Sequence, residues 1–443
     1  MIKLSLTYES TTLDFQAAGC VVLDGFYPVT ATSEENVVET FDILIIGSST
    51  ELINWVRSIN QAFDYARRRY DDNYPVYLNF ALNQTLDAWR TRIVDGAILF
   101  NSKLDPNFRS GRLKATITIE HLAWWEGPEA QIPLTNANGT NNTSGLTVKN
   151  CGDLTGTAPT KRDNTVNVAA ASVIGDLPAA TRLEITNTYN DPSDAGHFLL
   201  GHNVYSSPGS FAHILEGEDA ATGTVLTNAS YSGGEAMEFD WNDTAEALAY
   251  SWTLPTSLLN TLRGSYIRVL AKFSPAPSDS LWVRLRIKVS VTTLWDGSQV
   301  LLSSGGEVQE LATLRLPPYL LKTGNLFPLT LQMTVMNTFT GAHWTVLDFL
   351  QITPVDSWRK LYSAGYYLPY LVKLVDDGID GLIFTEDGTS GKLGNYIGYN
   401  NPIKLIPGAD QKIYFLWESA SGTTWNDRTA SVKLYYRPRR RNI

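Results

Sequence analysis

Arg109–Gly127, RSGRLKATITIEHLAWWEG, decides how the N-terminal part of the chain is read. Leu113, Ala115, Ile117 and Ile119 alternate with Arg112, Lys114, Thr116, Thr118 and Glu120. That period of two belongs to a strand with one buried face. The run stops in Trp124-Trp125-Glu126-Gly127-Pro128. Proline cannot donate to a ladder and glycine accepts turn dihedrals, so the strand ends there. It reads as the last strand of a first domain, residues 1–127.

Upstream, Phe41–Ile46 is a short apolar run with the pattern of a buried strand. A long helix follows. Ser48 and Glu51 have capping-box spacing, and Leu52, Trp55, Val56, Ile59, Phe63, Ala66 and Tyr70 fall on one stripe. Arg67-Arg68-Arg69 closes it, suiting the negative end of the helix dipole and offering a candidate binding patch. Strands at Val76–Phe80 and Trp89–Phe100 lead into the opening stretch. One amphipathic helix laid across a tube-like β-sandwich or split barrel accounts for this domain.

Residues 128–145 are rich in Asn, Thr and Gly and read as a linker. Their Asn-x-Ser/Thr triplets around Asn138–Thr143 formally match glycosylation acceptors. Strand patterns resume in residues 146–210 and again in 359–443, neither block long enough for a sandwich alone. Together they suggest one discontinuous β-sandwich, with residues 211–358 inserted as a jelly roll of eight short strands. Within the insert, Val283, Leu285, Ile287, Val289 and Val291 alternate with Arg284, Arg286 and Lys288.

The 443 residues include 12 Trp, 21 Tyr and 16 Phe, and long helical patterns are few, which makes the chain mainly β. A net charge of −10 argues against gripping a nucleic-acid backbone, while an acidic wall would let DNA slide past. Cys20 and Cys151 are too few and too far apart for a disulfide framework or a zinc site. The N-terminus, MIKLSLTYES, reads as a strand, and no early apolar run is long enough to span a bilayer. The reading is a protein made in the cytoplasm, with no membrane insertion.

HExxH, CxxC and GxSxG do not occur, and five histidines leave little material for acid/base chemistry, so no catalytic residues and no enzyme activity are expected. GTSGK at Gly388–Lys392 lacks phosphate-loop spacing and reads as a hairpin; Asp376–Gly381 lacks EF-hand spacing and reads as a tight turn. In the insert, Glu216, Glu218 and Asp219 flank the first strand, and Asp348 sits in an otherwise apolar last strand. If those strands are neighbours, the acids converge, and oxygen-only ligation would select calcium. Solvated edge acids are the alternative. Trp241, Trp252, Trp295 and Trp344 are candidates for stacking on sugar rings, against the alternative that they fill the core.

ATITIEHLAWWEGPE resembles the end of the N-terminal domain of siphophage distal tail proteins, and the preceding helix and the strand IVDGAILF also fit. VKNCGD with LPAATRLEITNT, and KLIPGADQKIYF with VKLYYRPRR, resemble pieces of that family's second domain. The resemblance implies a virion protein of the tail tip or baseplate. Its N-terminal domain would self-associate into a ring, by family expectation a hexamer, between the tail tube and the tip hub proteins. The insert separately resembles carbohydrate-binding jelly rolls, because ILEGEDA is similar to their opening strand and VLDFLQITP to their closing one. By that likeness Glu216, Glu218 and Asp348 map onto structural calcium positions, and cell-surface carbohydrate would be a partner. The alternatives are a tail-tube subunit with a lectin-like decoration, or an accessory module of a glycoside hydrolase.

Overall fold

A computed structural model describes residues 3–23, 25–29, 35–68, 75–81, 89–100, 111–136, 139–141, 144–149, 165–189, 195–205, 214–228, 231–242, 244–255, 258–259, 266–275, 277, 281–302, 308–315, 329–337, 340–354, 358–363, 366–389, 391–419, 429–441 and 443. The chain is mainly β, with one α-helix among the described residues. It divides into two compact units: Met1–Ala130 with Ile174–Ala179 and Tyr436–Ile443, and Gln131–Val173 with Ala180–Tyr435.

In the first unit the strands run Thr11–Asp14, Lys3–Tyr8, Val76–Ala81, Trp89–Phe100, Arg112–His121, Val37–Ile46 and Cys20–Val22, each antiparallel to the next. Trp89–Phe100 is shared by the two halves of this sheet, and its register shifts between Ile93 and Asp95. A bulge there bends the strand and lets the sheet turn a corner, as a split barrel requires. Val37–Ile46 is longer than its apolar core suggested and alternates, because only one of its faces is covered.

The helix Ser49–Arg68 begins as its sequence specifies. The Ser48 N–H donates to Glu51 Oε2 (2.7 Å), and the Glu51 N–H reaches back to Ser48 Oγ (3.4 Å). Such a cap is worth about 1 kcal/mol. Leu52, Ile59, Ala62, Phe63 and Ala66 are buried, and each of the larger side chains contributes about 2 kcal/mol. The close approach to the sheet is made at Gly96, where a Cβ would enter the Phe63 ring. Arg67 of the basic end pairs with Asp64 and Asp95 while remaining 46% exposed; Arg69 and Tyr70 lie outside the described residues.

The strand Arg112–His121 has the register its alternation demands: Leu113, Ala115, Ile117 and Ile119 are buried, with Val37–Ile46 on one side and Trp89–Phe100 on the other. Its other face is polar and wet. Lys114 Nζ lies 2.9 Å from Asp42 Oδ2, Thr116 Oγ1 donates to Asp42 Oδ1 (2.6 Å), and Asn36 Nδ2 donates to Glu120 (2.8 Å). Beyond it Trp125 is 1 % exposed, packed on Phe80 and His121 in the core of this unit. The short strand Trp125–Glu126 pairs with Arg439–Arg440, so the chain's basic end belongs to this unit and not to the sandwich. Arg439 clasps Glu126 through Nη2 (2.7 Å) and Nε (3.0 Å), lies over the Trp124 ring, and is joined by Arg90 (3.4 Å).

Among the described residues the second unit contains four sheets. A seven-stranded sheet runs Gly139–Asn141, Leu134–Asn136, Thr165–Val168, Asp410–Ser419, Ala195–Tyr205, Trp358–Tyr362 and Ile397–Tyr399. An eight-stranded sheet includes Leu146–Lys149, Thr429–Tyr436, Ala179–Asn187, Lys373–Asp377, Leu382–Glu386 and Lys392–Leu393 in order. Arg359 of the one sheet meets Asp376 of the other in a buried fork (2.6 and 3.0 Å). Leu134–Asn136 and Gly139–Asn141 pair antiparallel where polar composition suggested a linker. Ile132 and Leu134 are buried, and threonine and asparagine backbones serve the ladder as well as any. The Asp376–Gly381 segment is a tight turn in which Asp377 Oδ1 accepts the Ile379 (3.0 Å) and Asp380 (3.1 Å) N–H groups. Leu382–Glu386 and Lys392–Leu393 pair as a hairpin across the GTSGK segment.

Residues 214–354 supply the other two sheets. One runs Thr224–Thr227, Glu235–Trp241, His343–Pro354, Tyr266–Phe273 and Val308–Arg315, with Ile214–Glu216 also on His343–Pro354. The other runs Ala247–Thr253, Leu329–Met336, Trp282–Val289 and Thr292–Asp296, with Val300–Leu301 also on Trp282–Val289. Ile214–Trp241 stays in the first sheet and Trp282–Leu301 in the second, while the remaining strands cross from one to the other, as in a jelly roll. Their shared core includes Trp241, Tyr250, Trp252, Leu285, Met333 and Leu350.

Candidate functional site

The first and last strands of the jelly roll are neighbours. Ile214–Glu216 pairs with Phe349–Gln351, and just past it the Gly217 N–H donates to the Asp348 carbonyl (2.7 Å). Gly217 is needed there, since a Cβ would collide with the Leu347 carbonyl. This crossing brings Glu218 toward Asp348. Burial pushes the Glu218 carboxyl up to about 7, with repulsion from Asp219, Asp348 and Glu235 adding to it. Glu216 is half-buried on the same strand, its carbonyl accepting the Trp252 indole N–H (2.8 Å).

Asp348 is sealed. Its side chain is 0 % exposed, Oδ1 accepts the Ser232 N–H (2.7 Å), and Oδ2 lies 3.0 Å from Lys272 Nζ, which is also 0 % exposed. Lys272 reaches it from Tyr266–Phe273, the strand on the far side of the closing one. The pair sits beside an apolar seam where Ile214, Leu270 and Phe349 of the jelly roll pack on Trp358, Tyr414 and Leu199 of the sandwich sheet. Neither Lys272 nor Ser232 is among the candidates drawn from sequence. Lys272 did leave a signal, since with Arg268 it is one of two basic residues in the otherwise apolar strand YIRVLAKF.

These donors do not fit a calcium ion as they stand. Calcium takes six to eight oxygens, and here an ammonium already fills the side of Asp348 from which a cation would bind. Among the described residues, no group of three or more His, Cys, Asp or Glu side chains is placed to hold a metal.

The four tryptophans do not form one platform. Trp241 (6 % exposed) and Trp252 (2 %) belong to the core, and Trp295 is half-buried against it. Trp344 is 37 % exposed and is the one of the four open to a ligand. The outer face of the five-stranded sheet carries instead a charged lattice: Arg286 meets Asp296 (2.8 Å) and Glu246 (3.0 Å), and Arg284 meets the same two acids (3.4 Å each). Cys20 is buried, which pushes its thiol up to about 12; Cys151 lies outside the described residues, as do Asn138, Asn142 and Thr143. No described helix is long and apolar enough to cross a membrane.

No family model matches the chain, and no curated protein matches it. Among solved structures it is similar to a chain of the phage P2 baseplate in its activated conformation with Ca, at 9% identity and a TM-score of 0.25, covering 80% of this chain and 99% of that one. It is also similar to the infectious bursal disease virus VP2 subviral particle, at 8% identity and TM-score 0.18, covering 70% of this chain and 80% of that one. An exo-beta-1,3-galactanase from Phanerochaete chrysosporium is similar at 13% identity and TM-score 0.17, covering 64% of this chain and 66% of that one. These scores lie below what a shared fold gives, and none of the likenesses assigns a role.

Proposed function

We propose that the chain is a structural, non-enzymatic component of a bacteriophage tail: a subunit of a tail-tip ring joining the tube to the tip, with the jelly roll carried as an outward module. The observation that carries this reading is the segment ATITIEHLAWWEGPE together with its setting. The motif's strand lies inside the bent sheet of the first unit, the helix caps one face of that sheet, and the other face is a wet lattice of Asp42, Lys114, Thr116 and Glu120. A mixed-charge, hydrogen-bonded face suits the wall of a lumen, because it offers passing DNA no cationic patch to hold. Closed rings are the ordinary outcome of head-to-tail interfaces, and sixfold symmetry is the expectation of this reading.

The jelly roll would then meet the cell surface, with host glycans as its ligands, through Trp344 rather than through the buried tryptophans. Purified protein examined by native mass spectrometry and negative-stain imaging should give closed rings with a central hole. A chain that stays monomeric at every concentration and hydrolyses glycosides would overturn the reading. For the module, a glycan array repeated with chelator should show binding in both conditions that Trp344→Ala reduces; silence in both would make it purely architectural.

A further inference from the structure

We infer that Lys272 is a built-in counter-cation: its ammonium takes the place of a metal ion beside Asp348, so that the jelly roll closes its first and last strands without calcium. Three observations converge on this. The acid is fully buried and cannot borrow neutralisation from solvent, and an unpaired buried carboxylate is among the costliest groups a fold can contain. Its oxygens face two donors: Oδ1 accepts the Ser232 N–H at 2.7 Å, and Oδ2 forms an ion pair with Lys272 Nζ at 3.0 Å. Lys272 is not a surface residue folded inward by chance. It stands on a strand paired with the closing strand, opposite Phe349, and its ammonium is 5.7 Å from the centre of the Phe349 ring, whose π face favours a cation.

The strand register places the charge. The ladder between Tyr266–Phe273 and His343–Pro354 slips between Lys272 and Phe273, whose partners are Phe349 and Leu347, leaving Asp348 as the extra residue of a bulge. A bulge re-aims a side chain, and here the acid left out of the ladder is the one that meets the lysine. With −1 and +1 already paired, a divalent ion would have to sit next to an ammonium with no water between them, or expel a side chain sealed in the seam formed by Phe349, Leu270 and Trp358. Glu216 and Glu218 are thereby released from ligand duty.

The test is thermal unfolding of the full chain, followed by tryptophan fluorescence in millimolar calcium and in excess chelator, with the metal content of the dialysed protein measured alongside. The expected result is the same midpoint in both solutions and far less than one calcium per chain. A midpoint that falls on adding chelator, or stoichiometric calcium, overturns the inference. Lys272→Met should lower the midpoint by several degrees, and Lys272→Met combined with Asp348→Leu should recover most of that loss, because the pair then leaves together. If Lys272→Met does not fold, the double variant still decides: it folds if charge neutrality is what the lysine supplies, and its failure to fold counts against the inference.

Discussion

Glu126 and Asp348 are both acids held by basic residues far away in sequence, yet they are held in different ways. Glu126, with an 11% exposed side chain, is clasped by the fork of Arg439 and touched by Arg90, each 19% exposed. Water still reaches all three. Asp348 and Lys272 are sealed at 0% and face one another, with the Ser232 N–H on the acid and the Phe349 ring beside the ammonium. The first arrangement fixes geometry: it fastens the last residues of the chain to the turn after Arg112–His121, at modest energetic risk. The second is an internal neutralisation, where the energy lies less in making the pair than in the penalty for breaking it.

The largest effect should come from breaking the sealed pair. Asp348→Ala leaves Lys272 buried without its acid and should cost about 3–5 kcal/mol in urea unfolding. Trp125→Ala should cost a similar amount, about 3–5 kcal/mol, since it empties the core beneath Glu126, whereas Trp124→Ala should cost well under half of that. Equal losses from the two tryptophans would contradict their different burial. Glu126→Ala comes next, at about 1–3 kcal/mol, because Arg90 and Arg439 can turn to water once released. Were it to match Asp348→Ala, the distinction between a wet anchor and a dry pair would be lost. The smallest effect is that of salt. Between about 0.05 M and about 1 M salt the cost of Glu126→Ala should shrink by a few tenths of a kcal/mol while that of Asp348→Ala stays constant, since screening acts on charges that water can reach.

Much of the fold was legible because local chemistry wrote it. Ser48 and Glu51 announced the helix, the alternation of Leu113–Ile119 gave the strand and its buried face, and the Asp376–Gly381 turn followed from its spacing. Features set by long-range pairing were less readable. Nothing local in RPRRR says that it will join Trp125–Glu126, and polar stretches such as Leu134–Asn136 and Gly139–Asn141 can pair as strands once neighbours accept their ladder. The candidate site was half visible. The lone acid in VLDFLQI stands out in the sequence, but its partner in YIRVLAKF depends on a bulge that no periodicity reveals. A register shift between Leu248 and Tyr250 likewise buries the adjacent Ala249 and Tyr250, and Trp252, on the same face as Tyr250, is a core residue.

The tail-tip reading is tested most directly by locating the protein in an intact particle, with gold-tagged antibody raised against the jelly roll and viewed by electron microscopy. The account predicts label confined to the distal end of the tail. Label spread along the tube would replace the ring with a tube subunit, and particles that carry no label at all would contradict a structural role in the tail.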